Sequence, residues 1–462
     1  MTYTRDRAWR VLPRFALGAC LTLALTACET GELLEVEDPD IVTPGSLTGE
    51  IGLSAIYAGA IGDVTVAYDG GAGDGSFLTG YVTASASLSD EAYVSGTFPS
   101  REQFDQRAID LRNGNLLDLF QRLQRARRAA EVGAERLLES DPEDVRAAEL
   151  QALAGYTYVA LGEGFCSGVP FSTATLGGEL EYGPPNTTEE VFNIALARFQ
   201  AAEAQAGDNE EIANLARVGQ GRALLNLGQY TEAAAAVAEV PDDYLYTLFH
   251  STSSARQENG FYAANTVTQR LSIADDQGGS GPPFRDGSDD GEGLSFLSAD
   301  DPRVSFTVDT LAFDATVDST YLLLNYGAGG LVNIPLGRSA PAPLATGIEA
   351  RLIEAEAALG SGNPGGALAI LNDLRATADL DPLDGPVTVQ TLFEERAFWL
   401  YATGHRLGDL RRLIRQYGQS PENVFPTGDY FKGGEFGTDV NFPIPQLEVN
   451  NPEAQGCLNR SA

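Results

Sequence analysis

The chain has 462 residues, 43% of them hydrophobic, which is enough for a large buried core in one or two domains. Its 65 acidic residues outnumber its 30 basic ones, and the formal net charge at pH 7 is −35. Nucleic acids and anionic lipid surfaces attract clustered lysine and arginine, so this charge excludes both as expected partners. The two histidines and four cysteines form no cluster with metal-ligand spacing, and no metal or other cofactor is expected.

The first 27 residues have the features of a bacterial export signal. Four arginines up to Arg14 precede an apolar run, Phe15 to Ala27, which is too short to span a bilayer as a helix. The run ends in Leu25-Thr26-Ala27-Cys28, which fits a lipobox and predicts that Cys28 is the lipid anchor. Leu17–Cys20 is a weaker match, since cutting there leaves almost no apolar run. The alternative is an ordinary secretory signal with incidental cysteines.

Helical periodicity dominates the middle and the end of the chain. Apolar spacing predicts helices at residues 53–61, 116–132, 141–164, 188–199, 215–227, 349–359, 366–375, 393–400 and 407–414. Thr187 with Glu190 three residues later predicts a capping box at the start of the fourth of these.

Two of the predicted helix pairs share a repeat-like pattern. Gly228 lies five residues before Ala233, Gly362 lies five residues before Ala367, and an alanine-rich helix precedes each glycine. Small residues let paired helices approach closely, as in tetratricopeptide-type hairpins. The two copies are far apart, which indicates a scaffold interrupted by other structure rather than a simple solenoid.

Residues 241–347 are poor in helical periodicity and rich in Gly, Ser and Asp. Short β-like runs occur at Val304–Val308 and Tyr321–Leu324. Loops on a rigid scaffold are where binding residues usually lie, so this segment is expected to contribute to a binding surface.

Several short motifs, taken in order, resemble the SusD/RagB family of outer-membrane nutrient-binding lipoproteins. They are Gly162–Phe171, Asp300–Arg303, Ala355-Glu356 with Ala367-Leu368 and Leu371-Asn372, Glu395-Arg396, Gly404–Arg406 with Asp409–Arg412, Pro443–Gln446 and Asn451-Pro452. The resemblance implies a mostly α fold in one domain, residues 28–462. Tetratricopeptide-like hairpins would form a scaffold at about 101–240 and 348–418, with a loop-rich insert at about 241–347.

The resemblance also implies a function. The protein would be a non-enzymatic lipoprotein of the outer membrane, facing the cell exterior and held to the membrane by its lipid alone. It would capture a glycan or peptide oligomer and deliver it to a SusC-like TonB-dependent transporter. The alternatives are a helical-repeat lipoprotein that acts as a periplasmic scaffold, and a secreted glycan hydrolase.

Two cysteines, Cys166 and Cys457, remain after the signal and the anchor. An even pair in an exported protein predicts one disulfide, which would fasten the C-terminus to the middle of the chain. Two unrelated buried thiols are the alternative.

Aromatic residues in loops are the best candidates for ligand contact, because sugar C–H faces pack on flat rings while polar neighbours bond the hydroxyls. Residues 81–100 are a mixed, turn-rich stretch that holds candidate rings, and the insert holds others. The candidates are Tyr93, Phe98 and Arg101 in the early stretch and Phe261, Tyr262 and Asn265 in the insert, with Phe284 and Arg285 as outliers. The resemblance is consistent with these two regions, whereas rings buried under their own loops are the alternative.

Charged residues elsewhere favour structural roles. Asp286–Gly293 begins like a calcium-binding loop, but the twelfth position, where a carboxylate is needed, is Leu297. A solvated acidic loop is therefore expected there. Arg406, Arg411, Arg412 and Arg415 near the end of the chain are interpreted as an ion-pair corner between helices.

Overall fold

The computed structural model describes residues 49–72, 80–174, 180–279, 283, 292–310, 317–327, 331–454 and 456–462. The chain divides into residues 1–52, of which 49–52 are described, and a compact unit of residues 53–462. The predicted signal peptide, Cys28, Phe284, Arg285 and the calcium-like stretch as far as Gly291 lie outside the described residues.

Helices make up most of the regular structure. They are α1 Gly49–Tyr68, α2 Tyr81–Leu88, α3 Pro99–Asp105, α4 Gly114–Ser140, α5 Val145–Gly164, α6 Thr188–Gln205, α7 Glu210–Asn226, α8 Tyr230–Val237, α9 Gly260–Tyr262, α10 Gly347–Gly360, α11 Pro364–Thr377, α12 Val389–Trp399 and α13 Arg406–Arg415. A π-helical turn, Ala263–Val267, continues α9. The expectation of a mostly α fold is confirmed.

The strands are short and pair in twos. They are β1 Ala92–Tyr93, β2 Val169–Pro170, β3 Thr173–Ala174, β4 Leu180–Glu181, β5 Pro185–Asn186, β6 Leu245–Leu248, β7 Ser272–Ile273, β8 Phe306–Asp309, β9 Thr320–Leu323, β10 Asn325–Tyr326, β11 Ile334–Pro335 and β12 Ala342–Thr346. The antiparallel pairs are β1–β7, β2–β5, β3–β4, β6–β12, β8–β9 and β10–β11.

Successive helices pack as hairpins from α4 to α8, and α10 packs on α7, α8, α11 and α12. Side-chain caps begin all of these helices except α8, and the predicted capping box of Thr187 and Glu190 is present in full at α6. The glycines that end α7 and α10, Gly228 and Gly362, have φ of +72° and +78°, which favours glycine over other residues. The predicted tetratricopeptide-like hairpins are therefore confirmed.

The close packing of helices α5, α6 and α7 depends on a phenylalanine that lies between two glycines. Phe199 of α6 is fully buried and contacts Gly155 of α5 and Gly219 of α7. A Cβ atom added at Gly155 would lie 2.6 Å from the Phe199 ring, and one added at Gly219 would lie 2.2 Å from it. The two glycines therefore provide the space in which the ring crosses both neighbouring helices.

The corner between α12 and α13 is held by buried ion pairs. Arg396 donates to both carboxylate oxygens of Asp409, at 2.8 and 3.0 Å. Arg412 donates to both oxygens of Glu356 on α10, at 3.1 and 2.9 Å, and to Asp409 at 2.8 Å. Buried charges are tolerated when they are paired and hydrogen-bonded in this way.

The interpretation as an ion-pair corner holds for Arg412 and for Arg406, which pairs with Asp90. It is wrong for the other two arginines, because Arg411 donates to backbone carbonyls and Arg415 to the Asn226 amide oxygen.

Cys166 and Cys457 form the predicted disulfide, across a sequence separation of 291. The C-terminal tail runs alongside the end of α5, where the Cys166 N–H donates to the Phe442 carbonyl at 2.9 Å. A bridge between Ser167 and Asn459 continues the contact beyond the disulfide. The tail is therefore fixed to the helical scaffold over several residues.

The segment 241–347 begins and ends at the same place, because its first strand, β6, pairs with its last strand, β12. The predicted β-like runs are present as β8 and β9, which pair along their whole length. Strand β7 crosses to β1, before the helical hairpins, and so joins the segment to the early part of the chain.

The early stretch differs from the expectation. Residues predicted to be turn-rich include a helix, α2, all of whose residues are buried. Its Thr and Ser hydroxyls donate to carbonyls one turn back, for example Ser87 to Thr83 at 2.8 Å, which satisfies them in the core. Among the described helices α1 alone is long and apolar enough to cross a membrane, and its last residues, Ala67 and Tyr68, are buried in the core.

Candidate ligand-binding surface

The early stretch and the insert meet where β1 pairs with β7. Ala92 lies opposite Ile273 and Tyr93 lies opposite Ser272. Beyond the ladder the Gly96 N–H donates to the Arg270 carbonyl at 3.4 Å. This pairing brings the segment that ends at Phe98 beside residues 269–270 of the insert.

Phe98 is an exposed aromatic ring at this junction, with 44% of its surface open to solvent. The Arg101 guanidinium lies 4.3 Å from the ring centroid and the Arg270 guanidinium lies 4.9 Å from it. Cations over an aromatic face are attracted by its quadrupole, so both side chains hold the ring in place. We call Phe98, Arg101, Arg270 and Lys432 the Phe98 surface.

Lys432 comes to this surface from the loop near the C-terminus. Its ammonium donates to the Gly96 carbonyl and lies 3.1 Å from the Glu102 carboxylate. Gly96 itself has little room, because a Cβ atom there would lie 3.0 Å from the Arg270 Cγ atom. Three separate parts of the chain therefore meet at Gly96, two residues before Phe98.

The loops that meet at this surface are held from below by Asp105, a buried carboxylate at the end of α3. It accepts hydrogen bonds from the Val94 N–H at 2.8 Å, the Gln277 amide at 2.7 Å and the Tyr430 hydroxyl at 2.9 Å. These donors belong to the early stretch, the insert and the C-terminal loop. Burial raises the pKa of Asp105 to about 6, while the three hydrogen bonds act in the opposite direction.

The surface concentrates positive charge on an acidic protein. Burial lowers the pKa of Arg101 to about 10, and the nearby Arg270 guanidinium acts in the same direction. At neutral pH Arg101 is still charged, because its pKa remains well above 7. Arg101 is 3% exposed and so places a positive charge beneath the ring, while Arg270, which is half-buried, is the guanidinium that keeps part of its surface open to solvent there.

Four of the residues predicted as ligand contacts are buried: Tyr93, Arg101, Phe261 and Asn265. Tyr93 is 0% exposed, donates from its hydroxyl to the Ser319 carbonyl at 3.3 Å and packs edge-on against Phe431. Phe261 is 1% exposed. The expected exposure of these two rings is therefore wrong, because β1 and α9 turn them into the core.

Asn265 is also fully buried and has a structural partner at each amide atom. Its NH₂ group donates to the carbonyls of Leu271 and Tyr321, and its oxygen accepts from the Leu323 N–H at 2.8 Å. These bonds tie the π-helical turn to β9. Of the other predicted contacts, Phe98 is exposed and Tyr262 is half-buried, whereas Arg101 is buried beside the Phe98 ring.

Sequence reasoning missed Arg270 and Lys432. Lys432 is the only lysine of the chain, and that rarity was the one available signal. Arg270 carried none, because its place beside Phe98 depends on the pairing of β1 with β7. Within the described residues no group of His, Cys, Asp or Glu has the arrangement of a metal site.

No family model and no curated protein matches this chain. Solved structures do match it. A SusD superfamily protein from Bacteroides vulgatus matches with a TM-score of 0.60 and 15% identity, over 89% of this chain and 99% of the other. A SusD-like protein from Bacteroides fragilis matches with a TM-score of 0.63 and 15% identity, over 90% and 98%.

A laminarin-binding SusD-like protein is similar to the same extent, with a TM-score of 0.58 and 17% identity over 89% of this chain and all of that one. The matches extend over the helical hairpins and the insert together, since they span almost the whole length of both chains. The resemblance noted in the C-terminal motifs thus holds for the architecture, and the chain has the SusD-like fold.

Proposed function

We propose that the protein is a non-catalytic oligosaccharide-binding lipoprotein whose ligand lies on the Phe98 surface. The observation that carries the proposal is the exposed Phe98 ring, flanked by two guanidinium groups where the early stretch, the insert and the C-terminal loop meet. A protein of the same fold is described as laminarin-binding, which supports a glycan as the ligand.

The chemistry of the surface suits a sugar. An exposed ring offers a flat apolar contact to the C–H face of a pyranose, and guanidinium and ammonium groups offer only donors, which sugar hydroxyl oxygens accept. Tyr262, half-buried in the adjoining insert, is a second contact in this proposal. A peptide oligomer remains the other ligand class, and the binding experiment includes it.

Delivery to a transporter is the second part of the proposal. The lipid on Cys28 holds the protein at the outer membrane, facing outward, and a SusC-like TonB-dependent barrel receives the ligand. The lipobox and the SusD-like fold support this arrangement. The partner is tested by co-purification of a β-barrel protein with the membrane-anchored chain. The orientation is tested by adding protease to intact cells. A protein that resists protease on intact cells contradicts the exterior location.

Binding is tested by screening neutral and charged oligosaccharides and short peptides, followed by calorimetry with the best ligand. Phe98→Ala should weaken binding by roughly tenfold or more, since a stacked ring contributes on the order of 1 kcal/mol or more. Phe249→Ala is the matched control, because Phe249 is 78% exposed on another loop. Equal losses in both variants, or none in Phe98→Ala, contradict the assignment of the site.

The absence of catalysis is tested in the same screen. Each oligosaccharide is incubated with the protein and analysed for shorter products. Release of products at a rate that depends on protein concentration contradicts the non-catalytic proposal, whatever the binding data give.

A further inference from the structure

A second cleft lies between the α12–α13 corner, residues 292–294 of the insert and the loop that follows α13. Its volume is 260 Å³, which suits one side chain rather than an oligomer. None of the residues of the Phe98 surface lines it. The cleft is therefore a separate feature from the proposed glycan site.

The walls of this cleft are apolar. They are formed by Leu294, Val389, Phe393, Leu410, Leu413 and Val424. Phe393 and Leu410 are core residues, whereas the other four are half-buried and keep part of their surface open. An aliphatic chain that entered the cleft would gain contacts on several sides.

The floor is a closed ion pair. Arg406 donates to both oxygens of Asp90, each at 2.6 Å, and Asp90 also accepts from the Leu294 N–H at 3.2 Å. Arg406 is 7% exposed and Asp90 2%, so the pair is shielded from water. The positive charge of Arg406 is thus neutralised within the protein and does not attract an anion to the cleft.

The rim carries two carboxylates and several amides. Glu394 accepts from the Gln390 amide at 2.8 Å, and Glu292 accepts from the Thr427 N–H at 3.0 Å and the Thr427 hydroxyl at 2.6 Å. These bonds position one oxygen of each carboxylate; the second makes no hydrogen bond to any described residue. Among the described residues that line the cleft, Arg406 is the only cation.

We propose that this cleft binds the side chain of a lysine or arginine from a peptide partner. Such a side chain has an aliphatic stem, which fits the apolar walls, and a cationic head, which reaches the carboxylates at the rim. A neutral sugar would donate hydrogen bonds to the carboxylates but leave their negative charge unneutralised, and an anion would be repelled by them. The proposal goes beyond the proposed glycan-binding function and does not depend on it.

The test uses the peptide Ac-Gly-Leu-Lys-Leu-Gly-NH₂, its arginine analogue and its norleucine analogue, with binding measured by calorimetry or NMR titration. Both basic peptides should bind at least tenfold more tightly than the norleucine peptide. The double variant Glu292→Gln/Glu394→Gln should lose at least tenfold in affinity for the lysine peptide. Both substitutions keep the shape of the side chain, so folding is expected to persist and is checked by thermal melting.

The control removes the same charge elsewhere, because an acidic protein attracts any cation. Glu189→Gln/Glu232→Gln alters two exposed carboxylates on α6 and α8, and should change affinity less than twofold. Equal losses in the two double variants would assign binding to the net charge and overturn the proposal. Equal binding of the norleucine peptide, or no binding of either basic peptide, would overturn it as well.

Discussion

Replacing Gly219 by alanine should destabilise the protein, although alanine is the better helix former. The new Cβ atom would lie 2.2, 2.4 and 2.5 Å from three ring atoms of Phe199. The ring has no space to retreat, because Gly155 lies against it too, and the Tyr156 ring packs edge-on at 4.9 Å between centroids. The contact must therefore be relieved by moving a helix or by distorting the ring rotamer.

The magnitude follows from two opposing effects. Overpacking a close-packed core costs about 1–3 kcal/mol, and replacing a helical glycine by alanine returns about 0.5–1 kcal/mol. The net loss should therefore be about 1 kcal/mol, and at most about 2.5 kcal/mol. In a Phe199→Leu background the clash is removed, and Gly219→Ala should become neutral or stabilise by up to about 1 kcal/mol.

Urea denaturation followed by circular dichroism measures these differences. Gly62→Ala in α1 is the matched control, because an added Cβ atom there meets nothing within 4 Å, and it should stabilise by about 0.5–1 kcal/mol. The reasoning is refuted if Gly219→Ala is as mild as Gly62→Ala. It is also refuted if the Gly219→Ala loss is unchanged in the Phe199→Leu background.

Three further predictions concern the anchor, the disulfide and a buried acid. Cys28→Ala should block processing or release the protein from the membrane fraction, and processed protein that still sediments with membranes contradicts the anchor. Cys166→Ser/Cys457→Ser should lower the free energy of unfolding by about 2–5 kcal/mol in urea denaturation, and a reductant that leaves the wild-type transition unchanged argues against it. Burial raises the pKa of Glu91 to about 8, although the hydrogen bond from the Ala402 N–H and the charge of Arg406 oppose this shift. The protonated Glu91 side chain therefore contributes fully to stability below about pH 4, and this contribution is lost as the pH rises towards 8. Glu91→Gln should flatten the dependence of the urea midpoint on pH between 5 and 8, and an unchanged slope contradicts the assignment.

The helical scaffold could be predicted because its signals are local. Thr187 and Glu190 are three residues apart, and the apolar stripe of each amphipathic helix recurs within one or two turns. Helix α2 lacked that signal, since every residue of Tyr81–Leu88 is buried and no polar face marks its period. Its serines and threonine suggested turns in the sequence. In the structure their hydroxyl groups donate hydrogen bonds to carbonyls of the preceding turn, which allows these side chains to be buried in the core.

The region of the candidate binding surface was predictable from the sequence, but which of its residues are exposed was not. Tyr93 and Phe98 are five residues apart in the same polar stretch, yet Tyr93 is fully buried and Phe98 is exposed. The difference arises from contacts distant in sequence, the pairing of β1 with β7 and the packing of Phe431 on Tyr93. Arg270 reaches Phe98, and Lys432 reaches Gly96, through contacts that are equally distant in sequence and that no local pattern encodes.

Arg411 has a structural role at the end of α5. Arg411 is fully buried on α13, and its guanidinium donates to the carbonyls of Gly162, Glu163 and Phe165 at the end of α5. Those carbonyls have no partner within their own helix, so the cation satisfies them and suits the negative end of the helix dipole.

The same helix end pairs with the C-terminal tail. The Phe442 N–H donates to the Gly164 carbonyl at 2.8 Å, and the disulfide of Cys166 follows two residues later. Thus α13 and the tail, on either side of residues 416–441, are both fixed to one end of α5. Lys432 lies within that loop, and its contact with Gly96 depends on the loop being held at both ends. The single lysine is thus placed beside Gly96 by a loop whose two ends are fixed at α5, one by Arg411 and the other by the tail and its disulfide.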